Sequence, residues 1–176
     1  MNILKILASA SSIFTQVKFP LVNQLRIRQQ VAAIVDLWIR RTRLSVATYI
    51  FGSLFLLIAG GRMLNLIGAH TTFLDPPQLA LALLVIGLEM HHGLYGTLVI
   101  SENQNPFVKP ALISGVATVL LSLFLTMRIG VWGMLLAQGS VQAAFNNWWT
   151  VYRGIRGLGV SPGDYCRTYF RLPLRL

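Results

Sequence analysis

The stretch "PQLALALLVIGLEMHHGLYGTLVI", residues 77–100, decides the fold. It is long and apolar enough to cross a bilayer, whose hydrocarbon core takes about 20 residues of helix. Yet it carries Glu89, His91 and His92 in its second half. Working outward, similar apolar runs recur on both sides. The chain has 176 residues, of which 55% are hydrophobic and 11% charged. A soluble domain usually carries about 25% charged residues. The expected fold is therefore all-α: a polytopic membrane protein of four to five transmembrane helices, with no room for a large soluble domain.

The formal charge of +10 does not point to nucleic acid. Lys and Arg cluster between the apolar runs, and no basic surface with interleaved aromatics is present. Cys166 is the only cysteine, which rules out an intramolecular disulfide and a thiolate zinc cluster.

Residues 1–17 hold a short apolar helix, a clipped span or an interfacial helix. Ala8-Ser9-Ala10 gives it a faint likeness to a cleavable signal, but serines break the apolar run and a basic stretch follows. Residues 18–43 form a basic connection. Within it Ile27, Val31, Ile34, Val35 and Trp38 recur at helical spacing. That predicts an amphipathic helix on the membrane surface, with Asp36 and Arg40 as an i,i+4 pair. Arg26, Arg28, Arg40, Arg41 and Arg43 are its membrane-facing cations, suited to anionic lipid.

Residues 44–152 form the transmembrane region. Spans are expected at about 44–66, 77–100, 110–126 and 131–151, joined by "GAHTTFLDPPQ", "SENQNPF" and a tight "MRIG" turn. Residues 153–176 are a basic tail. Twelve of the fifteen Lys and Arg fall on one side of this arrangement. The positive-inside rule makes that side cytoplasmic, and the C-terminus with it.

On a helical wheel Glu89, His92, Gly93 and Gly96 share one face of the second span, and His91 and Tyr95 lie roughly opposite. Ionisable groups inside a membrane usually face protein or water. Polar groups on both faces predict a helix surrounded by neighbours, with Gly93 and Gly96 allowing close approach. Glu89 then has two readings, a proton, cation or polar-substrate contact or a hydrogen bond across a helix interface. For the histidines interhelical bonding is preferred, and His92 is also carried as a pathway residue because it shares the Glu89 face. In the fourth span Gln138, Gln142, Phe145, Trp149 and Tyr152 fall in one line with Asn146 beside it. Gln138, Gln142 and Asn146 are candidates for a polar pathway or for interhelical bonding. Trp148 and Trp149 suit an interfacial belt.

Adjacent histidines diverge by about 100° on a helix and match no metal motif. A serine protease would rest on Ser114 alone. No metal, cofactor or catalytic activity is expected.

Together "LEMHHGLYGTLVISENQNPFVKPALISG" (88–115) and "GVWGMLLAQGSVQAAFNNWW" (130–149) resemble the C-terminal part of bacterial polysaccharide-biosynthesis membrane proteins. These are oligosaccharide flippases of the O-antigen type in the MATE-like superfamily. "KFPLVNQLRIRQQVAAIVDLWIRRTR" (18–43) resembles the basic connection before a late span in those proteins. The resemblance implies part of one helical bundle of an inner-membrane transporter that moves lipid-linked oligosaccharide by alternating access. Members have about a dozen or more spans in two bundles, so it also implies a chain incomplete alone. That is the pattern of a truncated product, or of a split subunit with a partner chain. The alternative is a small membrane interaction or assembly protein without transport.

Overall fold

The computed structural model describes residues 2–66, 68 and 73–172. Residues 69–72 of the predicted long loop and 173–176 of the tail lie outside the described residues. The fold is all-α: α1 (Asn2–Gln16), α2 (Phe19–Ile27), α3 (Val31–Leu66), α4 (Pro76–Ile100), α5 (Val108–Ile129), α6 (Val131–Val141), a π turn (Gln142–Asn146), α7 (Asn147–Arg156) and α8 (Pro162–Arg171). Three helices, α3, α4 and α5, are long and apolar enough to cross a membrane, which is the build of a multi-pass membrane protein.

α4 is the central helix. It packs on α1, α3, α6 and α7. Half of its most apolar window is buried, against 17% for α3 and 0% for α5. Two apolar clusters stack along it. Leu79, Ala82, Leu83, Ile86 and Met90 join Leu4, Tyr49 and Leu135 towards its N-terminus. Tyr95 and Leu98 join Val22, Ile34, Trp38, Ile39, Ile155 and Tyr165 towards its C-terminus. The Glu89–His92 stretch falls at the junction. α3 runs antiparallel to α4 in a register fixed by Tyr49, whose hydroxyl donates to the Leu83 carbonyl at 2.7 Å and whose ring lies beside Gly87. That register sets Glu89–His92 alongside Leu44–Val46, within about a turn of Arg43. The polar stretch therefore lies towards the arginine-rich end of the bundle rather than at mid-depth.

Lipid is as apolar as leucine, so helices associate in it through close packing and interhelical hydrogen bonds. The α5–α6 hairpin is the clearest case. Gly130, at φ +58°, makes the whole connection, a left-handed conformation that costs glycine little. Gly133 then presses directly on the backbone of Leu125 and Thr126, leaving no space for a side chain.

Several expectations need correction. The basic connection is not one surface helix. α2 ends at Ile27, and Gln29 adopts φ +55°. Ile27 is thereby thrown out of phase with Val31–Trp38 and is 83% exposed. α3 continues without interruption from Val31 through the span, and Ile34, Val35 and Trp38 face the protein core, not lipid. The Asp36–Arg40 pair forms as expected, with the guanidinium gripping both carboxylate oxygens at 2.9–3.1 Å. The fourth predicted span is helical but broken by the π turn, where the Asn147 amide bonds back to Gln142. The tail folds back as α8, capped by Ser161, which accepts from the Asp164 amide at 3.1 Å.

Candidate functional site

Two different polar environments meet α4. On the α7 side His91, His92, Asn147 and Thr150 are all partnered, and Gln142 Oε1 is the exception. Asn147, 8% exposed, donates from Nδ2 to the carbonyls of Leu88 (3.0 Å) and Gln142 (3.1 Å). Its Oδ1 is left as an acceptor, 2.8 Å from His91 Nδ1, so that nitrogen carries the ring proton. His92 Nδ1 lies 2.9 Å from the fully buried Thr150 hydroxyl and 3.1 Å from the Asn146 carbonyl, serving one of them in each tautomer. The two histidines straddle the α4–α7 seam, as residues 100° apart can. The π turn supplies this geometry: its wider winding turns Asn147 and Thr150 inward and lets the Gln142 carbonyl accept both the backbone and the side-chain amide of Asn147.

On the α1 side the arrangement is open. Lys5, Ser9, Ser12 and Gln16 recur at intervals of four, three and four along α1, one face of that helix. Facing them, Glu89, Gly93 and Thr97 repeat every fourth residue along α4. Between the two rows lies a groove of about 300 Å³, floored by Ile86, Met90 and Leu94. Gln138 reaches its edge from α6 and donates to Glu89 Oε2 at 3.4 Å, a long bond. Lys5, Ser9, Gln16, Glu89 and Gly93 are all exposed, and nothing lies within 4 Å of where a side chain at 93 would start. The described ion pairs are Asp36–Arg40 and Glu102–Arg153; Lys5 and Glu89 share the groove without forming one.

The arginine-rich end is closed by a polar plug. Arg153 pairs with Glu102 at 2.7 Å, and the carboxylate fills the place a side chain at Gly157 would take. Arg26 Nη1 donates to the Gly157 carbonyl at 3.1 Å. Burial lowers the Arg26 pKa, opposed by the charge of Glu102. Tyr95 and Tyr165 hydroxyls meet at 2.9 Å, tying α4 to α8, and burial pushes the Tyr165 phenol well above its ordinary range. Arg43 donates to the Leu172 carbonyl at 2.6 Å and sits 4.7 Å over the Tyr169 ring.

The expected site residues thus separate. Glu89 and Gln138 come together on the open groove with Gly93. His92 and the Asn146 carbonyl belong to the closed seam, and Gln142 Oε1 is buried there without a partner. His91 packs at a tilt against Tyr95 with ring centroids 5.0 Å apart, and Gly96 lies against Phe107. Of the five predicted surface cations, Arg26 and Arg43 are engaged inside the protein, Arg40 holds Asp36, Arg41 is half-buried and Arg28 is exposed. Sequence reasoning missed the α1 polar row, although its four-three-four spacing was visible, and missed Asn147 and Thr150, which a uniform wheel places off the line. Comparison with family models, curated proteins and solved structures gives no match.

Proposed function

We propose that the chain is part of a transporter of the lipid-linked oligosaccharide flippase type, a multi-pass protein of the bacterial inner membrane with its C-terminus in the cytoplasm. The α1–α4 groove would be one wall of its polar path. The observation that carries this reading is the pair of facing polar rows, left open and carrying both Lys5 and Glu89. A Lys or Asp facing hydrocarbon costs about 2.5–3.5 kcal/mol at the bilayer centre, and less nearer the interface, towards which Glu89 lies. Two such groups opening sideways are stable if water, a polar substrate or further helices cover them. Hydroxyls, an amide and a carboxylate along one wall are the groups that hydrogen-bond sugar hydroxyls. One wall is not a pathway, so the reading requires further helices, such as those of a partner chain, to bring the opposite wall.

The test is complementation of a flippase-deficient strain by the chain together with its neighbouring open reading frames. Export should be restored and should fall to background with Glu89→Ala, while Val119→Ala on α5 leaves it intact. Restored export indifferent to Glu89→Ala removes that carboxylate from the mechanism.

The second reading, an assembly protein without transport, is favoured by the closed seam, where His91, His92, Asn147 and Thr150 are used to hold helices together. It predicts capture of a membrane partner without export.

A further inference from the structure

A second, larger depression lies on the opposite flank of α4 from the polar groove. It measures about 650 Å³ and is walled by α3, α4 and α7, within the about 300–1,000 Å³ usual for small-molecule sites. Ile50, Leu54 and Leu57 of α3 face Leu83, Leu84 and Leu88 of α4 across it. Its α3 wall runs from Val46 to Leu57, about 16 Å at the helical rise of about 1.5 Å per residue. That is close to half of the about 30 Å hydrocarbon thickness. The groove is therefore one leaflet deep. Because Arg43 lies one turn below Val46, that leaflet is the one on the arginine-rich side.

The mouth of the groove has a different chemistry. Trp148 of α7 lines it and is 73% exposed. One turn further along the same helix Tyr152 is overlaid by Arg156 at 5.4 Å. Arg43, one turn before Val46 on α3, sits over the Tyr169 ring of α8 and donates from one of its nitrogens to the Leu172 carbonyl. Aromatic rings and guanidiniums at this level are the groups that meet lipid headgroups at a membrane interface. An apolar trough of one leaflet's depth thus carries Trp148 on its wall and has Arg43 one helical turn beyond its Val46 end.

We propose that this groove seats one acyl chain of an anionic glycerophospholipid, with its phosphate held at Arg43. The site shares only Met90 with the polar α1–α4 groove and does not depend on what that groove carries. It also differs from ordinary annular contact, for which α5 is the internal standard. That helix presents Leu112, Val116, Leu120 and Phe124 to the surroundings and lines neither of the two grooves.

The purified full chain, reconstituted in phosphatidylcholine liposomes, can be photolabelled with trace phosphatidylglycerol bearing a diazirine on one acyl chain. The matching phosphatidylcholine probe serves as the comparison, and labelled peptides are located by mass spectrometry. Labelling at Leu54 and Leu84 should exceed that on α5, with a preference for the anionic probe of about five-fold, the weight of one arginine near a charged lipid. Leu84→Trp, or Leu54→Trp if the first fails to insert, should reduce groove labelling to the α5 level. Arg43→Gln should remove the headgroup preference while acyl labelling persists. Groove labelling equal to that of α5 overturns the site. Enrichment with no headgroup preference overturns the assignment of an anionic lipid.

Discussion

The two flanks of α4 that carry polar residues differ in one respect that organises the molecule. Towards α7 the histidines, Asn147 and Thr150 satisfy one another across a closed seam. Towards α1 Lys5, Ser9, Gln16 and Glu89 line a groove and are exposed, while Ser12 and Thr97 bond to carbonyls of their own helices. The first arrangement is how a membrane protein holds helices together; the second is how it presents chemistry to something else. One helix serves both because residues three and four apart stay on a face while neighbours diverge.

The comparison can be broken at the seam first. Asn147→Leu removes a side chain that bridges two carbonyls and a histidine. The two carbonyls keep their backbone partners, but the half-buried His91 Nδ1 loses its acceptor and both bonds across the seam go, which should destabilise the bundle by about 1–3 kcal/mol. Unfolding of the purified protein in detergent or bicelles would measure it; a change within error would show that the seam is not what holds α7. Next, a double-mutant cycle of His92→Ala with Thr150→Val should give a coupling of about 0.6–1.7 kcal/mol, the span seen for hydrogen bonds between membrane helices.

The plug at the arginine-rich end gives an alkaline prediction. The folded Tyr165 phenol is held above the unfolded value of about 10. Its contribution is complete below that pH and is lost as pH rises beyond it, because only the unfolded tyrosine then ionises. α8 should therefore loosen above about pH 10, read as faster proteolysis of the tail, and Tyr165→Phe should lessen the effect. The smallest expected change is on the open side. Glu89→Gln should alter stability by no more than about 0.5 kcal/mol, as surface substitutions do, since its bond to Gln138 is long and exposed.

Much of the fold was legible in the sequence. The apolar runs predicted α4 and α5 to within a few residues, and the spacing of Asp36 and Arg40 predicted their pair. Uniform periodicity failed where the backbone departs from it. Gln29 at positive φ cut Ile27 from its stripe, and the π turn moved Asn147 and Thr150 onto the face that the wheel had given to Gln142 and Trp149. Neither event leaves a strong mark in single-residue composition. The candidate site was half legible. Glu89 and Gln138 stood out as polar groups in apolar runs, but their partner row on α1 was hidden in a segment read for its length and its serines.

The central claim is that the α1–α4 groove is the polar, covered-or-wetted face, and cysteine accessibility tests it directly. In a Cys166→Ser background, single cysteines at Ser9, Gly93 and Phe124 can be exposed in membranes to a charged thiol reagent. The positions at Ser9 and Gly93 should react, or be protected only when a partner chain is co-expressed, while Phe124 on α5 stays unreactive in lipid. Equal silence at all three positions, with no partner present, would contradict the account, because the groove would then face hydrocarbon like α5.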